Sequence, residues 1–181
     1  MQSADEIRAR ARRLKLMAFD VDGVLTDGAL FFTDDGIEMK AFNSRDGLGL
    51  KMLQRAGLSV AIITGRKARC VEWRMQNLGI DLLYQGIENK WETMQILLAR
   101  LGISADEAGY MGDDVVDLPV MNGCGFSATP ADSHALAKRH ARLISSQAGG
   151  HGAVREVCEF ILDAQGKLDS ALAPYLTVNR Q

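Results

Sequence analysis

The sequence is poor in cysteine, proline and net charge, and each shortage excludes a class of protein. Its three cysteines, Cys70, Cys124 and Cys158, are an odd number without a CxxC pair, so neither a disulfide framework nor a zinc site is expected. Unpaired thiols of this kind indicate a reduced, cytoplasmic protein. The formal net charge of −2 gives no general attraction to polyanions, which argues against nucleic acid as the partner and favours small-molecule chemistry.

Long apolar runs are also missing. The longest, 14–19 and 59–64, fall far short of the roughly 18 residues that a membrane-spanning helix needs, so no membrane segment is expected. Basic residues from Arg8 to Lys15 precede the first run, but the run ends at Asp20 and no small-residue cleavage site follows. We therefore predict an amphipathic N-terminal helix, in preference to a signal peptide or an electrostatic tether to RNA or lipid.

The chain is 47% hydrophobic over 181 residues, which fits one compact domain and excludes a disordered tail or a fibrous repeat. Only three prolines occur and no Ser/Gly linker divides the chain, so we predict a single domain over 1–181. Strand-like runs alternate with helical segments, which predicts an α/β fold, a Rossmann-like doubly wound parallel sheet. The predicted strands are 16–19, 59–64, 81–84, 109–111, 125–128 and 141–144. The predicted helices are 47–56, 68–78, 90–101, 117–122, 133–139 and 153–165.

Two segments depart from this alternation. Strand-like runs at 29–33 and 37–42 are joined through Asp34-Asp35-Gly36, and Asp-Gly between such runs is a strong hairpin signal. We therefore predict a β-hairpin appendage over about 29–42. The chain ends in a tail, about 149–181, in which a glycine-rich stretch precedes the last predicted helix and a polar end follows it.

Two carboxylates and a glycine follow the first predicted strand. In Phe19-Asp20-Val21-Asp22-Gly23 the apolar run leads directly into Asp20 and Asp22, at the carboxyl edge of the sheet where ligands bind. A carboxylate there can attack an electrophile, and its neighbour two positions on can exchange a proton with the leaving group. A capped Asp-x-Asp-Gly turn without chemistry is the alternative.

Polar residues also follow the second strand and open one helix. Thr64 can donate to a phosphoryl oxygen, and Gly65 lets the backbone approach an anion closely. Lys90 opens the helix 90–101, where its charge adds to that of the helix amino end. Taken alone, Thr64 and Gly65 also fit an ordinary strand end, and Lys90 also fits a solvated surface lysine.

A cluster of acids follows the strand at 109–111. Asp113, Asp114 and Asp117 offer hard oxygen ligands, which suit Mg²⁺. A solvated acidic helix start accounts for one of these residues but less easily for three. Because three separate strands bring such side chains to one edge of the sheet, we interpret them as parts of a single site.

In their order along the chain these motifs resemble those of the haloacid dehalogenase superfamily, whose members mostly transfer phosphoryl groups through an aspartyl-phosphate. The resemblance implies the haloacid dehalogenase fold and four catalytic residues: Asp20 as nucleophile, Asp22 as general acid and base, Thr64 and Lys90. These roles agree with the chemistry, because a phosphate dianion repels an attacking carboxylate and a nearby lysine offsets that repulsion.

The same resemblance implies Mg²⁺ as the cofactor. A carboxylate oxygen of Asp20, the backbone carbonyl of Asp22 and the side chain of Asp113 would hold it. Asp114 and Asp117 would form a secondary acidic shell around this set. Metal between the phosphate and the carboxylates would reduce their mutual repulsion further.

A closer resemblance covers nearly the whole chain and is to the family of 3-deoxy-D-manno-octulosonate 8-phosphate phosphatases. The segments that carry it are 22–27, 42–47, 64–66, 84–86, 112–121, 149–158 and 164–169. It implies hydrolysis of an acidic sugar phosphate for bacterial lipopolysaccharide biosynthesis, with Arg45, Arg66, Arg74 and Gly65 in substrate binding. Arginine suits both the carboxylate and the phosphate of such a substrate. The stretch 149–152 would be a mobile cover from the same or a neighbouring subunit.

The motif spacing leaves no room for a cap domain, since 20–64 holds only the hairpin and one helix. Something else must then exclude water from the site. The family does so as a homotetramer, in which hairpins pack together and neighbouring subunits complete each pocket, and the apolar hairpin fits this. The alternative is a hairpin folded over its own sheet.

Two functional alternatives remain open. Nonulosonate 9-phosphate phosphatases share this uncapped tetrameric build, and the motifs do not separate an eight-carbon from a nine-carbon acid sugar. A non-catalytic oligomerising module of the same fold is the second alternative. The intact set of Asp20, Asp22, Lys90 and Asp113 argues against it.

Overall fold

The computed structural model describes residues 3–176, which form a six-stranded parallel sheet, helices on both of its faces and a separate β-hairpin. The strands are β1 (Leu16–Phe19), β2 (Phe31–Phe32), β3 (Glu38–Met39), β4 (Ser59–Thr64), β5 (Leu82–Gln85), β6 (Ala108–Met111), β7 (Phe126–Thr129) and β8 (Leu143–Ile144). The helices are α1 (Ala4–Arg12), α2 (Ser44–Arg55), α3 (Arg69–Leu78), α4 (Lys90–Leu101), α5 (Leu118–Gly123), α6 (Ala135–His140), α7 (Ala153–Ala164) and α8 (Leu168–Leu176).

The order of the strands places β1 between β4 and β6, the two other strands that lead to predicted site residues. The sheet runs β5-β4-β1-β6-β7-β8 and every neighbouring pair is parallel. Phe19, the last residue of β1, pairs with Ile62 of β4 on one side and Met111 of β6 on the other. The chain segments that leave β4, β1 and β6 therefore emerge side by side at the carboxyl edge, as the sequence predicts.

Alternate residues of β1 supply two separate layers of the core. Met17 and Phe19 are fully buried against the layer formed with α2, α3 and α7, whereas Leu16 and Ala18 are buried against α4 and α5. A strand buried on both faces is an apolar run without alternation, which is why β1 is apolar throughout. The predicted α/β sheet is confirmed.

Local capping explains where α2 and α4 begin. The Asn43 side chain accepts a hydrogen bond from the Arg45 amide, so α2 begins three residues earlier than the predicted residue 47. Asn89 accepts from the Glu92 amide in the same way, and α4 begins at Lys90, the predicted position. Glycine at 102, in the left-handed region at φ 65°, ends α4.

Two segments differ from the prediction. The hairpin is present, but its paired strands are only two residues long, with Phe31 opposite Met39 and Phe32 opposite Glu38. The polar end expected after residue 165 instead contains α8, because Leu168 and Leu172 pack on the core. Part of the predicted tail, 177–181, lies outside the described residues. None of the helices between residues 3 and 176 has the length and apolar character to cross a membrane.

Candidate active site

A buried lysine lies between two carboxylates at the carboxyl edge of the sheet. Lys90 Nζ is 2.6 Å from Asp20 Oδ2 and 2.6 Å from Asp117 Oδ1, and the lysine side chain is 3% exposed. Burial opposes the charge of Lys90, but the two carboxylates outweigh it and raise its pKa above the ordinary value. Because α4 begins directly after Asn89, the positively charged Nζ of Lys90 lies against Asp20, the residue after β1.

Asp117 fixes both Lys90 and the loop after β6. Its Oδ2 accepts hydrogen bonds from the backbone amides of Asp113 (2.9 Å) and Asp114 (3.2 Å). Its Oδ1 accepts from Lys90 and lies 3.2 Å from Tyr110 Oη, which also donates to the Ile63 carbonyl oxygen at 2.9 Å. Because every oxygen of this fully buried carboxylate has partners, Asp117 positions other groups and has little capacity left for a ligand.

Asp20 and Asp113 are the carboxylates with capacity to spare. Burial, then the charge of Asp117, raises the pKa of Asp20 to about 6 although Lys90 opposes the shift. Burial together with Asp117 and Asp20 raises the pKa of Asp113 to about 7. Three carboxylates thus share one lysine, and the cluster has more negative than positive charge.

This donor set fits a divalent cation. One oxygen from each of Asp20, Asp113 and Asp117 lies within 4.8 Å of the others. Each oxygen of Asp117 accepts two hydrogen bonds, whereas Asp20 Oδ1 accepts one from the Val21 amide (2.7 Å) and Asp20 Oδ2 one from Lys90. Asp20 and Asp113 therefore keep lone pairs for a cation, and Mg²⁺ needs only one or two protein carboxylates beside water and substrate phosphate. Gly23 leaves the space that Asp113 occupies, because a Cβ at residue 23 would lie 2.0 Å from Asp113 Oδ2.

The acidic cluster opens into a cavity of about 500 Å³ that contains most of the predicted site residues. Eight of them line it: Asp20, Asp22, Thr64, Gly65, Arg66, Lys90, Asp113 and Asp114. Asp117 contacts three of these residues, Lys90, Asp113 and Asp114, without lining the cavity. The structure thus brings residues that follow three strands together at one cavity.

Two predicted substrate-binding arginines lie elsewhere. Arg45 is exposed in the first turn of α2. Arg74 donates from Nη2 to the Asn43 carbonyl oxygen (3.3 Å), and its guanidinium lies 5.9 Å from the centroid of the Phe42 ring. Neither side chain lines the cavity of its own chain.

Sequence reasoning missed two hairpin residues that contact the site. Lys40 Nζ binds Asp22 Oδ1 and lies 2.7 Å from Glu38 Oε1. Glu38 also binds Arg66, with Nη2 to Oε2 at 3.2 Å. A signal was available, because positions 38 and 40 are charged and two apart in the otherwise apolar run 37–42, so strand alternation places them on one face.

The glycine-rich stretch 149–152 packs on the loop after β1 of the same chain. The Gly150 amide donates to the Val24 carbonyl oxygen at 3.0 Å, and Asn43 Nδ2 donates to the Gly150 carbonyl oxygen at 3.1 Å. A Cβ at residue 149 would lie 2.0 Å from the Gly23 carbonyl oxygen, so the contact requires glycine. In the described part of the chain, no residue from 149 onward lines the cavity.

Comparison with known proteins places the chain among phosphatases. No family model matches the sequence. The chain is 49% identical over 169 residues to 3-deoxy-D-manno-octulosonate 8-phosphate phosphatase of Escherichia coli K12, covering 93% of this chain and 89% of that protein. The enzyme of the same name from Moraxella catarrhalis, whose crystal structure contains a magnesium ion, a phosphate ion and a KDO molecule, is similar at 39% identity and a TM-score of 0.93, over 96% and 99% of the two chains. A Legionella pneumophila protein described as a hydrolase of HAD superfamily subfamily III A is similar at 40% identity and a TM-score of 0.92, over 95% and 94%.

Proposed function

Because the chain belongs to the 3-deoxy-D-manno-octulosonate 8-phosphate phosphatase family of the haloacid dehalogenase (HAD) superfamily, we propose that it is a Mg²⁺-dependent phosphatase acting on that sugar phosphate. The products are 3-deoxy-D-manno-octulosonate, used in lipopolysaccharide biosynthesis, and inorganic phosphate. The observation that carries the proposal is the convergence of Asp20, Asp113 and the Lys90 ammonium group on one cavity. This set combines a nucleophile, a cation site and a fixed positive charge.

The reaction proceeds by two displacements at phosphorus. In the first, a carboxylate oxygen of Asp20 bonds to phosphorus while the bond to the sugar oxygen breaks, and Asp22 gives its proton to that oxygen. In the second, Asp22 takes a proton from a water molecule that attacks phosphorus, and the bond between phosphorus and Asp20 breaks. The aspartyl-phosphate at Asp20 is the intermediate between the two steps.

Positive charge lowers the barrier to the first displacement. Lys90, held 2.6 Å from Asp20, offsets part of the repulsion between the carboxylate and the phosphate dianion. Mg²⁺ held by Asp20, Asp113 and the backbone carbonyl of Asp22 supplies further charge neutralisation when bound. Thr64 and Gly65 line the same cavity and bind phosphoryl oxygens.

The proposed arginine contacts to substrate divide into two kinds. Arg66 lies at the cavity with its side chain 43% exposed, so it can bind the substrate of its own chain. Arg45 and Arg74 lie outside that cavity, and they contribute to substrate binding only where a neighbouring subunit completes the pocket. This division makes shared active sites part of the proposal.

The proposed assembly is a homotetramer formed through the hairpins. Leu30, Phe31, Phe32, Ile37 and Met39 are all between 47% and 62% exposed, which is an unfavourable surface for a two-stranded ribbon in water. Packing the hairpins together would cover these side chains and shield the neighbouring cavities. Light scattering at micromolar concentration should give four chains, and Ile37→Asp should dissociate them; a stable, fully active monomer would contradict shared sites.

The cellular setting and domain organisation follow the same proposal. All three cysteines are free thiols, which fits a reducing cytoplasm. The site residues lie at the carboxyl ends of β1, β4 and β6 of one sheet and at the start of α4, so residues 1–181 act as a single catalytic domain with a hairpin appendage.

The function is tested by phosphate release from a panel of substrates. The panel contains 3-deoxy-D-manno-octulosonate 8-phosphate, nine-carbon nonulosonate 9-phosphates and a simple sugar phosphate, each with Mg²⁺ and with EDTA. We expect Mg²⁺-dependent turnover with a kcat/KM at least tenfold higher for the eight-carbon acid. Asp20→Asn should abolish turnover, whereas Asp81→Asn, the same change at an exposed site before β5, should not.

Each result decides one part of the proposal. A preference for a nine-carbon substrate would reassign the substrate and leave the chemistry in place. An active Asp20→Asn protein would refute the covalent mechanism. No turnover of any phosphate by the wild-type protein would favour a non-catalytic oligomerising module.

A further inference from the structure

The hairpin carries an ion-pair chain that ends on Asp22. Lys40 Nζ contacts Asp22 Oδ1 and Glu38 Oε1, and the lysine side chain is only 1% exposed although it stands on a short, otherwise exposed hairpin. Glu38 in turn binds Arg66 at the cavity. A lysine enclosed this completely between two carboxylates has a fixed position, unlike an ordinary surface lysine.

The two oxygens of Asp22 have different surroundings. Oδ1 is held by Lys40, whereas Oδ2 is buried, has no hydrogen-bond partner and lies 3.9 Å from Arg66 Nε. Asp22 lines the cavity. A carboxylate clamped through one oxygen and unoccupied at the other is arranged to exchange a proton at a defined point.

The hairpin has two functional faces. Glu38 and Lys40 contact the site, whereas Ile37 and Met39, which alternate with them along the strand, are exposed and apolar, as strand alternation requires. The same short strand therefore presents charge toward Asp22 and apolar surface outward.

We propose that Lys40 is a positioning residue that clamps Asp22 Oδ1 and leaves Oδ2 as the oxygen that transfers the proton, with Glu38 fixing Lys40. The inference builds on the proposed function, because it assigns how the general acid and base of that reaction is oriented. Its effect is confined to steps that need Asp22. Formation of the aspartyl-phosphate from a substrate whose leaving group needs no proton does not depend on Lys40.

Because only the steps that use Asp22 should depend on Lys40, kinetics can distinguish a positioning role of Lys40 from two other roles. If Lys40 bound the substrate directly, its removal would raise KM and leave kcat unchanged. If it served only to fold the hairpin, its removal would slow all steps together or lower the active fraction. Only a positioning role predicts loss in the proton-transfer steps alone.

The experiment compares Lys40→Met with Lys40→Arg, and with Lys51→Met as a control on α2. With 3-deoxy-D-manno-octulosonate 8-phosphate, Lys40→Met should lower kcat by about 10- to 100-fold, within the contribution of general acid-base catalysis, with KM changed less than about threefold. Lys40→Arg should recover part of the rate, because arginine can also hold Asp22 Oδ1. Lys51→Met should match the wild type.

The second arm uses p-nitrophenyl phosphate, whose leaving group departs without a proton. Lys40→Met should release the first equivalent of p-nitrophenolate at the wild-type rate and then turn over slowly, since only hydrolysis needs Asp22. In an Asp22→Asn background, Lys40→Met should cause no further loss. A raised KM with normal kcat, equal slowing of both phases, or additive losses would overturn the inference.

Two controls keep the outcome clear. If Lys40→Met fails to fold by circular dichroism, Glu38→Gln replaces it, because it keeps the lysine but removes one of its two ion pairs; the same kcat loss is expected, and a normal kcat would overturn the inference. Activity of the wild-type protein on p-nitrophenyl phosphate but not on the sugar phosphate would refute the proposed substrate and still leave the Lys40 assignment testable.

Discussion

Removing the charge of Asp113 should stabilise the metal-free protein while abolishing its response to Mg²⁺. The half-buried Asp113 carboxylate faces Asp20 and Asp117, and no side-chain hydrogen bond holds it in the described structure. Asp113→Asn keeps the shape of the side chain and removes one of the repelling charges. Without metal, the variant therefore loses a destabilising interaction and loses no identified bond.

The size of the effect follows from the pKa of Asp113. Burial first, then Asp117, Asp20 and Asp114, raise it from 3.8 to about 7. Since one pKa unit corresponds to about 1.4 kcal/mol, the largest possible cost of ionising Asp113 in the folded protein is about 4 kcal/mol. Water around the partly exposed carboxylate screens the charge, which reduces the expected gain to about 1–2 kcal/mol. For a chain of this size the melting temperature should rise by about 2–8 °C.

The stability of the metal-free wild type should fall as pH rises. A raised carboxyl pKa means that the folded state holds the proton more tightly, so the metal-free wild type loses stability as pH rises from about 4 to about 7. The gain from Asp113→Asn should be complete at pH 8, smaller at pH 5 and absent below pH 4. Melting temperatures in EDTA at a fixed protein concentration measure it.

Mg²⁺ should reverse the order of the melting temperatures of the wild type and Asp113→Asn. At a concentration 100 times the dissociation constant, a bound cation stabilises the folded wild type by about 2.7 kcal/mol, whereas Asp113→Asn lacks one of its two carboxylate donors. Wild type should therefore melt higher than the variant in Mg²⁺ and lower in EDTA. A variant that is less stable than wild type in EDTA at pH 8 would refute the proposed charge excess at this site.

Three further changes test other contacts of the site. Lys90→Met leaves Asp20 and Asp117 buried without their cation, so unfolding by urea should show a loss of about 3–5 kcal/mol as well as inactivity; a loss below about 1 kcal/mol would contradict this. Gly23→Ala places a Cβ against Asp113 and should raise the Mg²⁺ concentration for half-maximal activity at least tenfold, whereas Gly36→Ala, at a similar φ but with nothing within 4 Å, should not. Ca²⁺ should support less than about a tenth of the Mg²⁺ activity, because its longer, more variable coordination misplaces the nucleophile, and equal activity would argue against this geometry.

Local sequence signals predict the sheet and most of the site. Apolar strands that end at Thr64 or lead into Asp20 and Asp113 define one edge, because parallel strands end together. Asn89 places the start of α4 at Lys90, so this residue also reaches the predicted edge. These features depend on contacts within a few residues or on the regular geometry of a parallel sheet.

The parts that the sequence does not predict depend on the course of irregular segments. The contact between Lys40 and Asp22 is set by the path of the loop and hairpin that join them, and periodicity does not determine that path. Asp46 is similar, since its carboxylate accepts from the Gly152 and Arg155 amides at the start of α7. Helix α8 was missed because it is short and contains Pro174, and it gains stability from packing of Leu168 and Leu172 on the core.

The proposed mechanism requires that Asp20 becomes phosphorylated and that Asp22 is needed to release the phosphate. The most direct test is rapid mixing of Asp22→Asn with p-nitrophenyl phosphate and Mg²⁺, followed by acid quenching and mass spectrometry of the peptide that contains residue 20. We expect one equivalent of p-nitrophenolate per site, little further turnover, and phosphate on Asp20. Continued turnover at the wild-type rate, or a phosphoryl group found on another residue, would contradict it.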